Sequence, residues 1–372
     1  MEKICFITAA RSEYGLLKWL MKEVDATDDI KLQIVVTGGH LLKEQGYTVE
    51  QIIKDGFSID AMVDAKLETT TQEGIAASMG RMAEGMAHVF AELKPDYIVV
   101  LGDRYELLPI CNTAFVMDIP IIHFSGGDVT VGAIDDGVRN AVTMLATYHF
   151  PGTKNSAVNI CRMRGSDKNI WFVGEPGLDA FYKEDLMSRE DLATALGLDV
   201  DKKWVLMTYH AETRTTVREN MQTIKCIIQN LMEKDELSIV ATYSNADYGG
   251  KGLNNYLEEK AISGKLIVIP SLGTRRYLSL MKQVSFVIGN SSSGIIEAPS
   301  LKKTVVNIGN RQKGRHLCNN IIQCTAEESS IAKAINKAMN YQYDNSDSNY
   351  WGDGHTAERV MWILREKILR RE

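Results

Sequence analysis

The sequence predicts an α/β protein made of two Rossmann-like halves with parallel sheets, and three observations lead there. Short, almost continuously apolar runs recur at residues 3–8, 32–37, 97–101 and 119–124, and again at 204–208, 237–242, 266–269, 284–288 and 304–308. Longer stretches with the spacing of amphipathic helices separate them, the β-then-α rhythm of parallel sheets. Nearly every run ends in a polar or glycine-bearing turn (11–15, 37–39, 102–106, 125–130, 210–213, 289–294), as expected where ligand groups gather outside the carboxyl ends of strands. The 372 residues, 45% hydrophobic and 24% charged, are enough for two domains of ordinary size.

The runs fall into two groups, one sheet per half. A boundary is expected at Gly174-Glu-Pro-Gly177, a turn-rich element between the run 170–173 and the polar segment 183–198. The first domain is therefore expected to span 1–174 and the second 175–355. After Trp351-Gly-Asp-Gly354 a helical pattern over 356–369 can leave the second domain and pack on the first, so 356–372 is counted with the first. Residues 341–350, rich in Asn, Asp and Ser, read as a surface loop.

Composition narrows the function classes. A formal charge of −6 without a long basic block argues against a nucleic-acid surface, so an anionic ligand must be met by a local pocket. Cys5, Cys111, Cys161, Cys226, Cys318 and Cys324 are scattered, without CxxC or Cys/His spacing, which suggests reduced thiols and no metal site. The N-terminus lacks the pattern of an export signal, and no apolar run reaches about 18 residues, so a cytoplasmic protein without a membrane partner is expected. Neither GxxxxGK[ST] nor GxGxxG occurs, which leaves ATP hydrolysis and dinucleotide binding without support.

The richest motif is Gly289-Asn-Ser-Ser-Ser-Gly-Ile-Ile-Glu297, which follows an apolar run and opens a helical pattern. A helix N-terminus carries unpaired N–H groups and partial positive charge, and Ser291, Ser292, Ser293 and Gly294 let a diphosphate approach the backbone. Glu297, one turn inside, can accept hydrogen bonds from a sugar hydroxyl. The same serines also suit an ordinary N-cap.

In the first half, Arg11-Ser-Glu-Tyr-Gly15 places a guanidinium before a helix, where it can meet a phosphate or remain a surface charge. Leu101-Gly-Asp-Arg-Tyr-Glu106 puts Asp103 and Arg104 at a strand end, although Asp103 also suits an N-cap. The next run leads into Ser125-Gly-Gly-Asp-Val-Thr130 and Ala133-Ile-Asp-Asp-Gly-Val-Arg139, so Asp128, Asp135 and Asp136 join Asp103 as carboxylates at adjacent strand ends. Carboxylates brought together raise one another's pKa and can serve as base and acid near neutrality; two of the four can instead cap helices or bind Arg139. In the second half, His210 stands at a strand end as a phosphate donor, an acid or simply a packed polar residue. Asn245 and Asp247 lie in a polar loop suited to sugar or uridine contacts, Ser271 begins a turn whose backbone can read a base edge, and Arg311, Lys313 and Arg315 offer cations to a diphosphate or to solvent.

Taken together, these motifs resemble the hydrolysing UDP-N-acetylglucosamine 2-epimerases of sialic-acid and related nonulosonic-acid biosynthesis, with Val36-Thr-Gly-Gly-His40, Gly132-Ala-Ile-Asp-Asp136, Glu297-Ala-Pro-Ser300 and Arg311-Gln-Lys-Gly-Arg315 adding to the match. The resemblance implies two Rossmann-like domains facing across a cleft, the GT-B architecture, with the final helix crossing back to the first domain. It implies UDP held by the second domain, with Ser291, Ser292 and Ser293 at the diphosphate, Glu297 at the ribose, and Arg11, Arg104, His210, Asn245, Ser271, Gly294 and Arg311 among the binding or leaving-group contacts.

Asp103, Asp128, Asp135, Asp136 and His210 would carry the chemistry: loss of the C2 proton with departure of UDP to give a glycal, then hydration from the opposite face. UDP-N-acetylglucosamine would yield UDP and N-acetylmannosamine without cofactor or metal, in a homodimer or homotetramer. One departure stands out. The family commonly shows Arg-His-x-x-Thr-Lys after the paired acids, where this chain has Arg139-Asn-Ala-Val-Thr-Met144. That change opens three alternatives: the same chemistry on a UDP-2,4-diacetamido-2,4,6-trideoxy sugar of the legionaminic-acid route, a UDP-sugar glycosyltransferase, or a non-catalytic UDP-sugar sensor.

Overall fold

A computed structural model describes residues 1–131, 133–341 and 346–369. Gly132 of the acidic motif, residues 342–345 of the expected loop and residues 370–372 of the final segment lie outside the described residues. The chain divides into two compact units, one comprising Met1–Val129, Asp135–Lys183 and Trp351–Glu372, the other Thr130–Ile134 and Glu184–Tyr350.

The first unit holds strands β1 (Glu2–Thr8), β2 (Ile30–Thr37), β3 (Ala61–Val63), β4 (Tyr97–Leu101), β5 (Ile121–Phe124) and β6 (Tyr148–Phe150), ordered β3-β2-β1-β4-β5-β6. The second holds β7 (Lys203–Thr208), β8 (Leu237–Thr242), β9 (Leu266–Ile269), β10 (Phe286–Gly289), β11 (Thr304–Ile308) and β12 (Ile321–Cys324), ordered β12-β11-β10-β7-β8-β9. All these pairings are parallel, and counting strands within each unit gives both sheets the same order, the Rossmann-like α/β arrangement the sequence predicts. The chain reverses its winding direction between β1 and β4 in one unit and between β7 and β10 in the other. Strand ends at such switch points are where open α/β sheets receive ligands.

Alternation along each strand explains why the apolar runs are continuous. Ile4 and Phe6 of β1 face a core shared with Leu17, Leu20 and Met21, whereas Cys5 and Ile7 face the opposite core with Met82, Met86 and Phe90. A strand covered on both faces has no solvent side to make polar. The second unit repeats this, with Val205 and Met207 on one face and Trp204 and Leu206 on the other. Strands β3, β6 and β12, which the sequence reading does not identify, are all outermost strands of three or four residues.

The division between units falls after Lys183, later than the boundary expected at residue 174. Residues 176–183 stay with the first unit because Asp179 holds them to the C-terminal helix Thr356–Ile363. Its carboxylate accepts the N–H of Thr356 at 2.9 Å and of Ala357 at 2.7 Å, satisfying two otherwise orphaned donors of that helix. Ala357, Val360, Met361 and Ile363 then pack into the same core as the helix Arg11–Asp25. The C-terminal segment thus returns to the first unit.

Three histidines of that unit are buried and uncharged. Burial pushes His40 and His149 down to about 3 and His123 down to about 4. His40 is held by Thr8 at 2.9 Å and Thr48 at 2.8 Å, while both ring nitrogens of His149 lack a partner. An unfolded chain protonates each ring near its ordinary 6.5, so each contributes a loss of stability as pH falls from there, to about 4 for His123 and about 3 for His40 and His149. Glu13, raised to about 8 mainly by burial, acts with the opposite sign, losing stability as pH rises above the ordinary glutamate value. His149→Phe is therefore expected to flatten the pH dependence of the unfolding free energy measured in urea, between about pH 6.5 and about pH 3, by up to ~1.4 kcal/mol per pH unit; an unchanged slope would refute the burial assignment. Asp179→Ala should cost about 0.5–2 kcal/mol in urea unfolding, with part restored by Asp179→Asn.

Candidate active site

The second unit's switch point is built around Asn290. Its side-chain oxygen accepts the His210 N–H at 2.8 Å and its amide donates to the His210 carbonyl at 2.9 Å, joining the chain after β10 to the chain after β7. Its own carbonyl accepts from Arg311 at 3.2 Å and from the buried Gln312 side chain at 2.8 Å. Close approach of the two strand ends requires Gly289, whose φ is +139° and whose added Cβ would lie 2.0 Å from the Thr208 carbonyl oxygen.

Beyond this clamp begins the helix Ser292–Ser300. Ser291 is its N-cap, with its hydroxyl accepting from the Ser293 N–H at 3.4 Å. The Ser293 hydroxyl is engaged within the protein, 3.1 Å from that of Ser291 and 2.5 Å from that of Tyr277. Ser292 is half-buried at the first helical position, and Gly294 is buried behind it.

Glu297 is buried one turn on. Burial pushes it up to about 7, partly offset by the charge of Arg315, and its Oε2 has no hydrogen-bond partner. A hydroxyl donor would satisfy that oxygen.

His210 is buried, and its Nδ1 accepts the Asn245 N–H at 3.1 Å, which leaves the proton of the neutral ring on Nε2. Asp247 is buried in the same loop, and the Ser271 hydroxyl accepts from Gly273 N–H at 3.4 Å at the start of the helix Gly273–Gln283. Glu212 accepts the Asn310 N–H at 3.1 Å and so braces the loop that carries Arg311; burial raises its pKa.

In the first unit the carboxylates gather around Arg139, whose guanidinium is fully buried in the helix Asp135–Leu145. It pairs with Asp103 from the end of β4, donates to the Asp128 carbonyl at 3.0 Å and lies 3.6 Å from Asp136. Burial opposes its charge, but Asp103, Asp128 and Asp135 outweigh that and raise its pKa. Asp128 is buried and accepts from the Ser156 hydroxyl at 2.5 Å, whereas the side chains of Asp103 and Asp136 remain 21% and 25% exposed. His123 supports the turn before Asp103 by donating from Nε2 to the Gly102 carbonyl at 2.8 Å, with Thr143 3.3 Å from its Nδ1.

All four acids of the sequence reading therefore meet, but their accessibility differs. Arg11, half-buried, opens the helix Arg11–Asp25. Arg104, expected at the phosphates, is buried and pairs with the fully buried Glu106 at 3.2 Å. Asn140 lies 3.5 Å from Asp136, so that departure touches the acidic cluster, whereas Met144 is exposed. Asn290, Glu212, Tyr277 and His123 are organising residues that the sequence reading does not single out. Each lies in or near a motif, but its role depends on partners far away in the chain.

A family model described as UDP-N-acetylglucosamine 2-epimerase matches residues 22–365. A hydrolysing GDP/UDP-N,N'-diacetylbacillosamine 2-epimerase of Campylobacter jejuni is 34% identical, covering 92% of this chain and 88% of its own. A hydrolysing UDP-N,N'-diacetylbacillosamine 2-epimerase of Legionella pneumophila is 32% identical, covering 98% and 96%. In fold, the structure of UDP-GlcNAc 2-epimerase from Neisseria meningitidis bound to UDP-GlcNAc aligns with a TM-score of 0.79 at 17% identity, over 98% of this chain and 100% of that one. Two sheets of matching topology, ligand-type groups at both switch points and near full-length similarity converge: the protein belongs to the UDP-N-acetylglucosamine 2-epimerase family.

Proposed function

We propose that this protein is a hydrolysing 2-epimerase of a nucleotide-linked 2,4-diacetamido-2,4,6-trideoxyhexose, UDP-N,N'-diacetylbacillosamine, which it converts to UDP and the free sugar inverted at C2. The observation that carries the choice of sugar is the 34% and 32% identity to two enzymes named for that substrate, over nearly the whole chain. Asn140 beside Asp136 supports it, as a family position altered where sugar chemistry is expected. A second reading, UDP-N-acetylglucosamine as substrate, draws on the description of the matching family.

In this reading the second unit binds the nucleotide. The N-terminus of Ser292–Ser300 and Arg311 meet the diphosphate, His210 donates to it from Nε2, and Glu297 accepts from the ribose. Asn245, Asp247 and Ser271 lie in the loops assigned to uridine and sugar. The first unit supplies proton transfer. A hydrogen on C2 is weakly acidic, so its removal has to accompany cleavage of the C1–O bond, with the electron pair leaving on UDP.

The resulting glycal takes up water: hydroxyl adds at C1 and a proton at C2 on the opposite face, so substrate and water balance UDP and epimerised sugar. Asp103 and Asp136, with solvent-reaching carboxylates, and Asp135 are the proton-transfer groups. The buried Asp128 and Arg139 position them. Stabilisation of the departing UDP by the helix terminus, Arg11, Arg311 and His210 lowers the barrier for the same step.

Purified protein in deuterated water, given the UDP- and GDP-linked diacetamido sugars and UDP-N-acetylglucosamine, should release UDP and a C2-deuterated free sugar fastest from the UDP-diacetamido substrate by mass spectrometry. Faster turnover of UDP-N-acetylglucosamine selects the second reading, and three intact substrates reject both. Asp103→Asn should reduce turnover by about 10²–10⁴-fold with UDP affinity within a few-fold, whereas Ser292→Trp should chiefly weaken UDP binding; reversal of this pattern would exchange the assigned roles.

A further inference from the structure

A cluster of metal-type ligands lies in the second unit among residues given no role above. Among the described residues, His316, Cys318 and Asp347 bring an imidazole nitrogen, a sulfur and a carboxylate oxygen within 4.8 Å of one another. The sequence shows only a His-x-Cys pair, which carries little weight alone; the third ligand arrives from a distant turn.

That turn is held in place by its neighbours. The Asn319 N–H donates to Asp347 Oδ2 at 2.9 Å, and the Tyr350 N–H donates to the Asp347 carbonyl at 3.0 Å. The Tyr350 ring stacks on His316 with centroids 3.7 Å apart. Cys318 is buried, with its sulfur 3.6 Å from the Asp347 carbonyl oxygen. The other carboxylate oxygen, Asp347 Oδ1, is buried and has no hydrogen-bond partner. A buried carboxylate oxygen without a donor is costly, and a cation is what would satisfy it.

We propose that His316, Cys318 and Asp347 form a binding site for a divalent transition-metal ion, zinc above all, that clips residues 316–318 to the turn at 347–350. The donor set decides the class. Magnesium and calcium favour all-oxygen shells, whereas a nitrogen, sulfur and oxygen triad suits zinc in a tetrahedral site with solvent as the fourth ligand. Donors in such a shell are roughly 3.5 Å apart, and a small rotation of the exposed His316 ring can close the remaining gap. On binding, the Cys318 thiol releases its proton to solvent and coordinates as thiolate.

The test uses the full-length chain, stripped with a chelator and titrated with zinc(II) by calorimetry, and with cobalt(II) as a spectroscopic probe. One ion per chain is expected, with a thiolate-to-cobalt charge-transfer band in the near ultraviolet that Cys318→Ser abolishes. His316→Ala, at an exposed position, should weaken zinc binding by about tenfold or more while leaving circular dichroism and UDP binding unchanged. Absence of stoichiometric binding, a cobalt spectrum without the thiolate band, or equal zinc affinity in His316→Ala would overturn the proposal.

Discussion

The second unit depends on one side chain bridging two strand ends. Parallel neighbours lose their shared hydrogen bonds once the strands finish, and the chains after β7 and β10 leave toward different helices. Asn290 replaces the missing ladder by presenting an amide to the His210 backbone as another peptide would. From that clamp follow the position of His210, the start of the serine helix and, through the Asn290 carbonyl, the placement of Arg311 and Gln312. Loss of the amide would leave a buried N–H and carbonyl at His210 unpaired, each worth about 1–3 kcal/mol, and would loosen three segments together.

The first unit solves a related problem with charge. A fully buried guanidinium is tolerated only where charge and acceptors surround it: Arg139 pairs with Asp103 from the end of β4, faces Asp136 one turn earlier in its own helix, and donates to the backbone carbonyl of Asp128. Convergence of these acids therefore offsets the cost of burying the Arg139 charge. Their unequal burial supplies the distinction that chemistry needs: the same cation holds one carboxylate-bearing residue inside the protein and others at its surface.

How much of this is legible in the sequence follows from where each residue sits. Central strands announce themselves because both faces are buried, and β4, β8 and β11 run over the same residues as the apolar patterns. Outer strands such as β3 and β6 have only a few residues to declare themselves. Motif residues at strand ends, among them Asp103, His210 and Ser291, are found because local order places them there.

Residues whose meaning is a distant partner escape such reading. Arg104 reads as a lone cation until Glu106 is seen to be buried beside it, and Glu212 resembles a turn residue until Asn310 is found against its carboxylate. The division between units falls later than the Gly174–Gly177 turn for the same reason, since Asp179 is tied to Thr356 and Ala357 by bonds that no local pattern reveals.

That tie has an implication for biosynthesis. Because the helix Thr356–Ile363 completes the core around Leu17, Leu20 and Met21, the N-terminal unit emerges from the ribosome with part of its interior bare and stays so while the whole of the other unit is being translated. An exposed apolar surface on a nascent chain invites self-association and chaperone capture. A segment translated after the second unit acts as a keystone for the unit translated before it, so the order of translation and the order of structural completion run in opposite senses.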